Sequence, residues 1–341
     1  MAFYEVTRAC DLVCRHCRAC AQPLACEDEL SHEQSLALLD DLAGFEQPPQ
    51  VILTGGDPMR RSDLPELVRH AAGVGLRPAV ALSATPRVTR DRLRELAEAG
   101  MSALAVSLDG ADEETHRRLR GIPGTFDRAI RILRDADALG VATQVNTTVT
   151  RDNVGQIDAM AEMLDNLGIR RWSVFFLVPT GRGSVLERIE PMQYRDVFER
   201  LHEQSKMRSF MIKTTEAPFY RRFVIQRDGE GPRGGKNTLG VNDGRGVVFI
   251  SHVGEIQPSG FLPLTRGRFP ADSVVRVYHE DEVFGALQDP DRLGGKCGVC
   301  DFRRVCGGSR ARAFALTGDY LAEEPDCGYR PPLAVTPGLQ E

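Results

Sequence analysis

Nine cysteines are gathered near the two ends of the chain, and grouped thiols are the residues best able to do chemistry here. Cys10, Cys14 and Cys17 form a C-x3-C-x2-C run within TRACDLVCRHCRAC, with Cys20 and Cys26 just beyond it. Three thiolates converging on one point leave an open position on a four-coordinate centre, as catalysis requires. Cys20 or Cys26 could instead fill that position and close a structural zinc site. The second group is Cys297, Cys300, Cys306 and Cys327, within CGVCDFRRVCGGSRARAFALTGDYLAEEPDC. Four thiols suit a closed centre, zinc among the possibilities, and a small loop-rich segment often needs a metal to stay folded.

Something must bring these thiols together. Short apolar runs, FYEVT, VILTGG, PAVALSAT, ALAVSLDG, ATQVNTTV and WSVFFLV, alternate with amphipathic stretches. Runs rich in Val, Leu, Ile and Phe with little polar alternation fit parallel strands buried on both faces. Between them, Ser31-x-x-Gln34 reads as a capping box followed by Leu36, Leu39 and Leu42. The sets Leu64/Leu67/Val68/Ala71, Phe126/Ala129/Ile130/Leu133 and Ile157/Met160/Ala161/Leu164 keep the helical spacing; Gly140 and Gly168 close the last two helices. Six βα units result between residues 2 and about 182, an α/β arrangement with a parallel sheet, either open and doubly wound or a partial barrel. Both architectures bind ligands at the carboxyl ends of the strands. The polar motifs fall there: TGGDP, Ser83, SLDG, Asn146 to Thr148, and PTGRG. After Gly183 come a helical stretch around Met192 to Met207, a glycine-dense stretch over 228–246 that reads as a mobile loop, and a β-hairpin turning near Gly254.

The totals narrow the function. A net charge of −5 with 27% charged residues of mixed sign carries no basic nucleic-acid arm. No apolar run is long enough to span a bilayer, and MAFYEVTRAC lacks the regions of a signal peptide. The expectation is a cytoplasmic protein without nucleic-acid or membrane partners. In that compartment nine cysteines point to metal or redox chemistry rather than disulfides.

The cysteine run after the first strand, followed by GGDP after the second, resembles the radical S-adenosylmethionine (radical SAM) superfamily. The resemblance implies a partial (β/α)6 TIM-like barrel over residues 1–183, a substrate-facing linker over 184–245, and a small C-terminal iron–sulfur domain of SPASM/twitch type over 246–341. It implies a [4Fe–4S] cluster on Cys10, Cys14 and Cys17, with one iron left for the amino and carboxylate groups of S-adenosylmethionine. The family cleaves that cofactor with one electron into a 5′-deoxyadenosyl radical, which abstracts hydrogen from an unactivated C–H bond. Carried over by position, Gly55, Gly56, Asp57 and Pro58 match the motif whose backbone receives the methionine amino group. Ser83, Ser107, Asp109, Asn146 and Leu177 stand where strand ends touch the cofactor, and Arg120 is a carboxylate partner. Cys297, Cys300, Cys306 and Cys327 would hold one auxiliary [4Fe–4S] cluster. An external one-electron reductant such as flavodoxin or ferredoxin would supply electrons.

Over nearly the whole chain, VNTTVT, FFLVPTGRG, KTTEAPFYRR and SHVGEIQPSGFLPL further resemble the heme-biosynthesis branch, which includes the Fe-coproporphyrin III decarboxylases. That likeness implies oxidative decarboxylation of tetrapyrrole propionates to vinyls. Cationic anchors for the carboxylates would be Arg182, Lys213, Arg221 and Arg222, and His252 would be a ligand for porphyrin iron. The alternatives are a peptide-modifying SPASM/twitch enzyme and a non-enzymatic electron carrier or zinc-binding adaptor.

Overall fold

The computed structural model describes residues 1–229 and 237–332. The sequence-stretch 228–246 therefore lies partly outside the described residues. Seven parallel strands follow one another in chain order: β1 (Ala2–Thr7), β2 (Gln50–Gly55), β3 (Arg77–Leu82), β4 (Ala103–Ser107), β5 (Ala142–Val149), β6 (Arg171–Phe176) and β7 (Met211–Thr215). The helices that return the chain between them are α1 (His32–Ala43), α2 (Leu64–Gly73), α3 (Arg90–Glu98), α4 (Glu113–Arg120), α5 (Thr125–Ala138), α6 (Ile157–Asn166) and α7 (Gln193–Met207). After α8 (Phe219–Asp228) the chain crosses to the opposite edge. There β8 (Val248–Ile250) pairs parallel with β1, and β9 (Glu255–Gln257) and β10 (Gly267–Arg268) continue antiparallel. The result is one ten-stranded sheet in the order β10-β9-β8-β1-β2-β3-β4-β5-β6-β7, the frame of a partial barrel.

Local sequence explains the elements. Ser31 caps α1 through a complete capping box with Gln34, and Leu38, Leu39 and Leu42 on this helix are fully buried. Each such side chain contributes about 1.5–3 kcal/mol by leaving water. The spacing had pointed to Leu36; it is only partly buried, because the buried face turns one step toward Leu38. All four expected residues of α2 and of α6 are buried. In α5 the buried face takes Ile132 rather than Ile130. The seventh strand, MIKTT, falls within the stretch expected to link the two regions. It is short and half polar, so its sequence lacks a buried-strand signature, yet it pairs with β6 through five residues.

The C-terminal region adds α9 (Val274–Glu280), α10 (Glu282–Gln288), α11 (Gly295–Gly298) and α12 (Arg310–Thr317). It is tied to the strand ends by charge. Buried Arg312 pairs with Glu324 and Asp326 and donates to the carbonyls of Phe176, the last residue of β6, and Glu216, just past β7. No helix among the described residues is long and apolar enough to cross a membrane.

Candidate active site

A cavity of about 210 Å³ opens at the carboxyl ends of the parallel strands. Cys10, Cys14 and Cys17 line it together with Gly55, Gly56, Ser83, Ser107, Asn146, Leu177, Arg120 and Arg182. Cys20 and Cys26 do not, so neither stands against the open side of the three-thiol group.

The cysteine loop leaves β1 and is held from three sides. The first is the GGDP turn after β2. Gly56 N donates to Thr7 O at 2.8 Å, and Asp57 N donates to Ala9 O at 2.7 Å. A Cβ on Gly56 would lie 2.3 Å from Ala9 O, and one on Gly55 2.3 Å from Thr7 O. The glycines are therefore required by the close approach of two backbone segments. The side chain of Asp57 faces away from the cavity. Fully buried, it accepts from Met59 N and from Thr85 Oγ1, and burial pushes its carboxyl up. Pro58 follows as the first residue of a single 3-10 turn.

The second support is the end of α4. Arg15 N donates to Leu119 O, and Arg120 reaches Cys14 Sγ with Nη1 at 3.6 Å. Arg120 Nε donates to Asp109 Oδ2 at 2.6 Å, and Thr148 N donates to Asp109 Oδ1. Asp109 is wholly buried, so it orients Arg120 and does not line the cavity. Burial raises its carboxyl, but Arg120, the neighbouring His16 and His116 and the Thr148 N–H together outweigh that and hold it below the usual carboxylate range. His16, 3.5 Å from Asp109, is pushed down to about 4 by burial and is neutral.

The third is PTGRG after β6. Gly181 takes φ +54°, and a Cβ there would lie 2.4 Å from Arg18 O. Arg182 donates from Nε to Cys14 O and from Nη1 to Ala21 O, both at 2.9 Å. Arg182 thus clamps the cysteine loop, and it also lines the cavity with Nη2 left unpartnered.

The thiols are set up as ligands. Leu12 N donates to Cys10 Sγ at 3.3 Å and Ala21 N to Cys17 Sγ at 3.4 Å; Ser83 Oγ lies 3.7 Å from Cys10 Sγ. Burial pushes the Cys10 thiol up to about 11, a cost that a coordinated metal removes by taking the thiolate. Three free sulfurs met by N–H donors, with no fourth cysteine on the cavity wall, fit a [4Fe–4S] cluster with one open corner.

A second, smaller cavity is lined by Cys297, Cys300, Cys306 and Cys327. Glu324 N donates to Cys297 Sγ and Gly308 N to Cys306 Sγ. Burial pushes the Cys306 thiol up to about 12. Four free thiols in one place fit a cluster ligated by protein throughout.

The other expected substrate contacts lie elsewhere. Arg222 lines the second cavity, 4.4 Å over the Tyr329 ring, and Arg221 donates to Val305 O. Lys213 on β7 is pushed down to about 8 by burial, with Arg171 and Arg221 adding to the effect. His252 is buried with Nδ1 2.8 Å from Glu5 Oε1 and does not line the cavity. Thr148, within the expected polar stretch after β5, is on the main cavity wall; sequence reading missed Arg18, His16, Phe175 and Phe261, which are there too. Arg18 and His16 sit inside the cysteine run, which was the available signal. Phe261 reaches the cavity only through the crossing of the chain to β8.

Comparison with known proteins follows this geometry. The model of the Radical SAM superfamily matches residues 4–164. A protein of Oleidesulfovibrio alaskensis named AdoMet-dependent heme synthase is 39% identical over 96% of this chain and 87% of its own length. One of the same name from Methanosarcina barkeri is 38% identical over 96% of both. Among solved structures, Streptococcus suis SuiB bound to S-adenosylmethionine superposes with a TM-score of 0.77 at 16% identity, covering 96% of this chain and 77% of SuiB, a likeness of fold.

Proposed function

This chain belongs to the radical SAM superfamily, and from that premise we propose that it is an AdoMet-dependent heme synthase, converting propionates of Fe-coproporphyrin III to vinyls by oxidative decarboxylation. The observation that carries the reading is identity of 38–39% across 96% of the chain with two relatives bearing that name. Cys10, Cys14 and Cys17 would hold a [4Fe–4S] cluster, which when bound and reduced would supply the single electron for reductive cleavage of S-adenosylmethionine to methionine and a 5′-deoxyadenosyl radical.

The residues of the chain hold and orient. Arg120, the GGDP turn and Arg182 fix the cysteine loop, so the three thiols face the cavity. Ser83, Ser107, Asn146 and Thr148 offer polar atoms along one wall for the amino, carboxylate and ribose groups of the cofactor. Phe175, Leu177, Val178 and Phe261 offer an apolar wall on the same cavity, suited to the face of a flat macrocycle. Each turnover would take one hydrogen atom from the propionate carbon β to the carboxylate and release carbon dioxide, and the one surplus electron would pass to an auxiliary cluster as its acceptor. Cys297, Cys300, Cys306 and Cys327 would hold a second [4Fe–4S] cluster, and an external one-electron donor of the flavodoxin or ferredoxin type would reduce the enzyme.

The test is anaerobic incubation of the reconstituted enzyme with Fe-coproporphyrin III, S-adenosylmethionine and dithionite, followed by mass spectrometry. Vinyl-bearing product together with 5′-deoxyadenosine is the expected result. Deoxyadenosine without any porphyrin product would overturn the substrate, and absence of both would overturn the reaction class.

A further inference from the structure

Cys26, Glu29 and His252 each bring one donor atom to a common point, and the three atoms lie within 4.8 Å of one another. None of these residues lines either cysteine cavity. The segment following the first cysteine group meets the turn between β8 and β9 here, where Leu30 N donates to His252 O at 2.8 Å.

Each donor is held in a form suited to a cation. Glu29 Oε1 accepts from Thr7 Oγ1, Arg8 N and Cys26 N, while Oε2 has no hydrogen bond among the described residues. His252 Nδ1 faces Glu5 Oε1 at 2.8 Å, and Glu5 Oε2 accepts from Arg18 at 2.9 Å. A carboxylate at Nδ1 selects the Nδ1–H tautomer and turns the Nε2 lone pair outward, the arrangement found behind metal-ligating histidines. Gln22 Nε2 donates to Cys26 Sγ at 2.8 Å and so fixes where the sulfur stands.

We propose that Cys26, Glu29 and His252 form a mononuclear zinc(II) site, separate from both cysteine groups, with water in the fourth position. One sulfur, one imidazole nitrogen and one carboxylate oxygen are common zinc donors, and such a set prefers zinc over iron(II). Tetrahedral zinc holds its ligand atoms roughly 3.5 Å apart, so small side-chain rotations close the site. Binding releases the Cys26 thiol proton and needs no redox partner. The ion pins the segment that ends the cysteine loop to the β8–β9 turn. Arg18, on the wall of the main cavity, is the far member of the same His252–Glu5–Arg18 chain.

The test uses the anaerobically purified, cluster-loaded chain exposed to zinc and then desalted. Elemental analysis should find about one zinc per chain with iron unchanged, and the zinc X-ray absorption of the wild type should show a single sulfur at about 2.3 Å. Cys26→Ser should lose the zinc and keep the iron, while Cys20→Ser keeps both. Glu29→Gln, which preserves an acceptor for Thr7 and Arg8, should weaken zinc binding by at least the roughly tenfold that outer-shell partners alone are worth. Wild type that retains no zinc, zinc kept at full affinity by both Cys26→Ser and Glu29→Gln, or more than one sulfur around the ion would each overturn the site. The absorption spectrum is read on the wild type and so does not depend on how the variants fold.

Discussion

Arg120 joins Asp109 to Cys14: Nε donates to the buried carboxylate at 2.6 Å, and Nη1 reaches the sulfur at 3.6 Å. The guanidinium is thus fixed by a group that never meets the cavity, and the cysteine loop inherits its position from α4 and the end of β4.

Removing the carboxylate should expose that dependence. Asp109→Asn leaves the mostly buried Arg120 without its counter-ion. Breaking a buried pair from one side costs about 3–5 kcal/mol. The thermal midpoint of the cluster-loaded protein should fall by several degrees, and deoxyadenosine release should fall with it, as read by calorimetry and chromatography.

Gly56 tests the close approach of the two backbone segments. Alanine there would place a Cβ 2.3 Å from Ala9 O and 2.6 Å from Arg8 O, backbone atoms that cannot rotate away as a side chain could. Overpacking of this kind costs about 1–3 kcal/mol, and here it displaces the loop bearing Cys10. Gly56→Ala should lose iron from the first cysteine group and most cofactor cleavage. Gly155→Ala, with nothing within 4 Å of the added carbon, should retain both.

Cys306→Ala separates the two cysteine groups. The cavities share no lining residue. If each holds a [4Fe–4S] cluster, iron should drop from about eight to about four atoms per chain. Cleavage of S-adenosylmethionine should persist, whereas Cys14→Ala should abolish it.

Glu216 gives a pH dependence. It sits at φ +60° between β7 and α8, and Ser309 donates to its carboxylate. Burial, with Asp243 adding to it, pushes its pKa up to about 8. The unfolded chain gives up this proton in the ordinary carboxylate range while the folded chain still holds it. Stability therefore declines as pH rises through that window, and the loss is complete above about pH 8. Glu216→Gln, an amide that still accepts from Ser309, should be more stable near neutral pH. It should also show a flatter melting-temperature profile, with Asp243 and Asp57, whose carboxyls are likewise raised, contributing to the slope that remains.

Features encoded within a few consecutive residues were legible from the sequence. Cys10, Cys14 and Cys17 after the first strand, the capping box at Ser31, the buried faces of α2 and α6, and the hairpin turning near Gly254 each depend on local spacing and local backbone preference. The alternation of apolar runs with amphipathic helices gave the parallel sheet for the same reason. Lys213, Arg221 and Arg222 show the limit. Their charge suggested carboxylate anchors, but a residue type does not reveal which way a short strand or helix carries it, and two of the three are turned to Val305 O and the Tyr329 ring.

By itself, then, the sequence determined which thiols form the two groups and that a strand end would carry the first, because periodicity and spacing are properties of neighbours along the chain. Tertiary structure alone decided that Arg182 clamps Cys14, that Asp109 serves Arg120 behind the cavity, and that Cys26 meets His252 away from the other thiols. Those contacts exist only because the sheet brings β8 beside β1 and the loop after β6 against the cysteine loop, and the closure of such distant segments is set by the packing of the whole core.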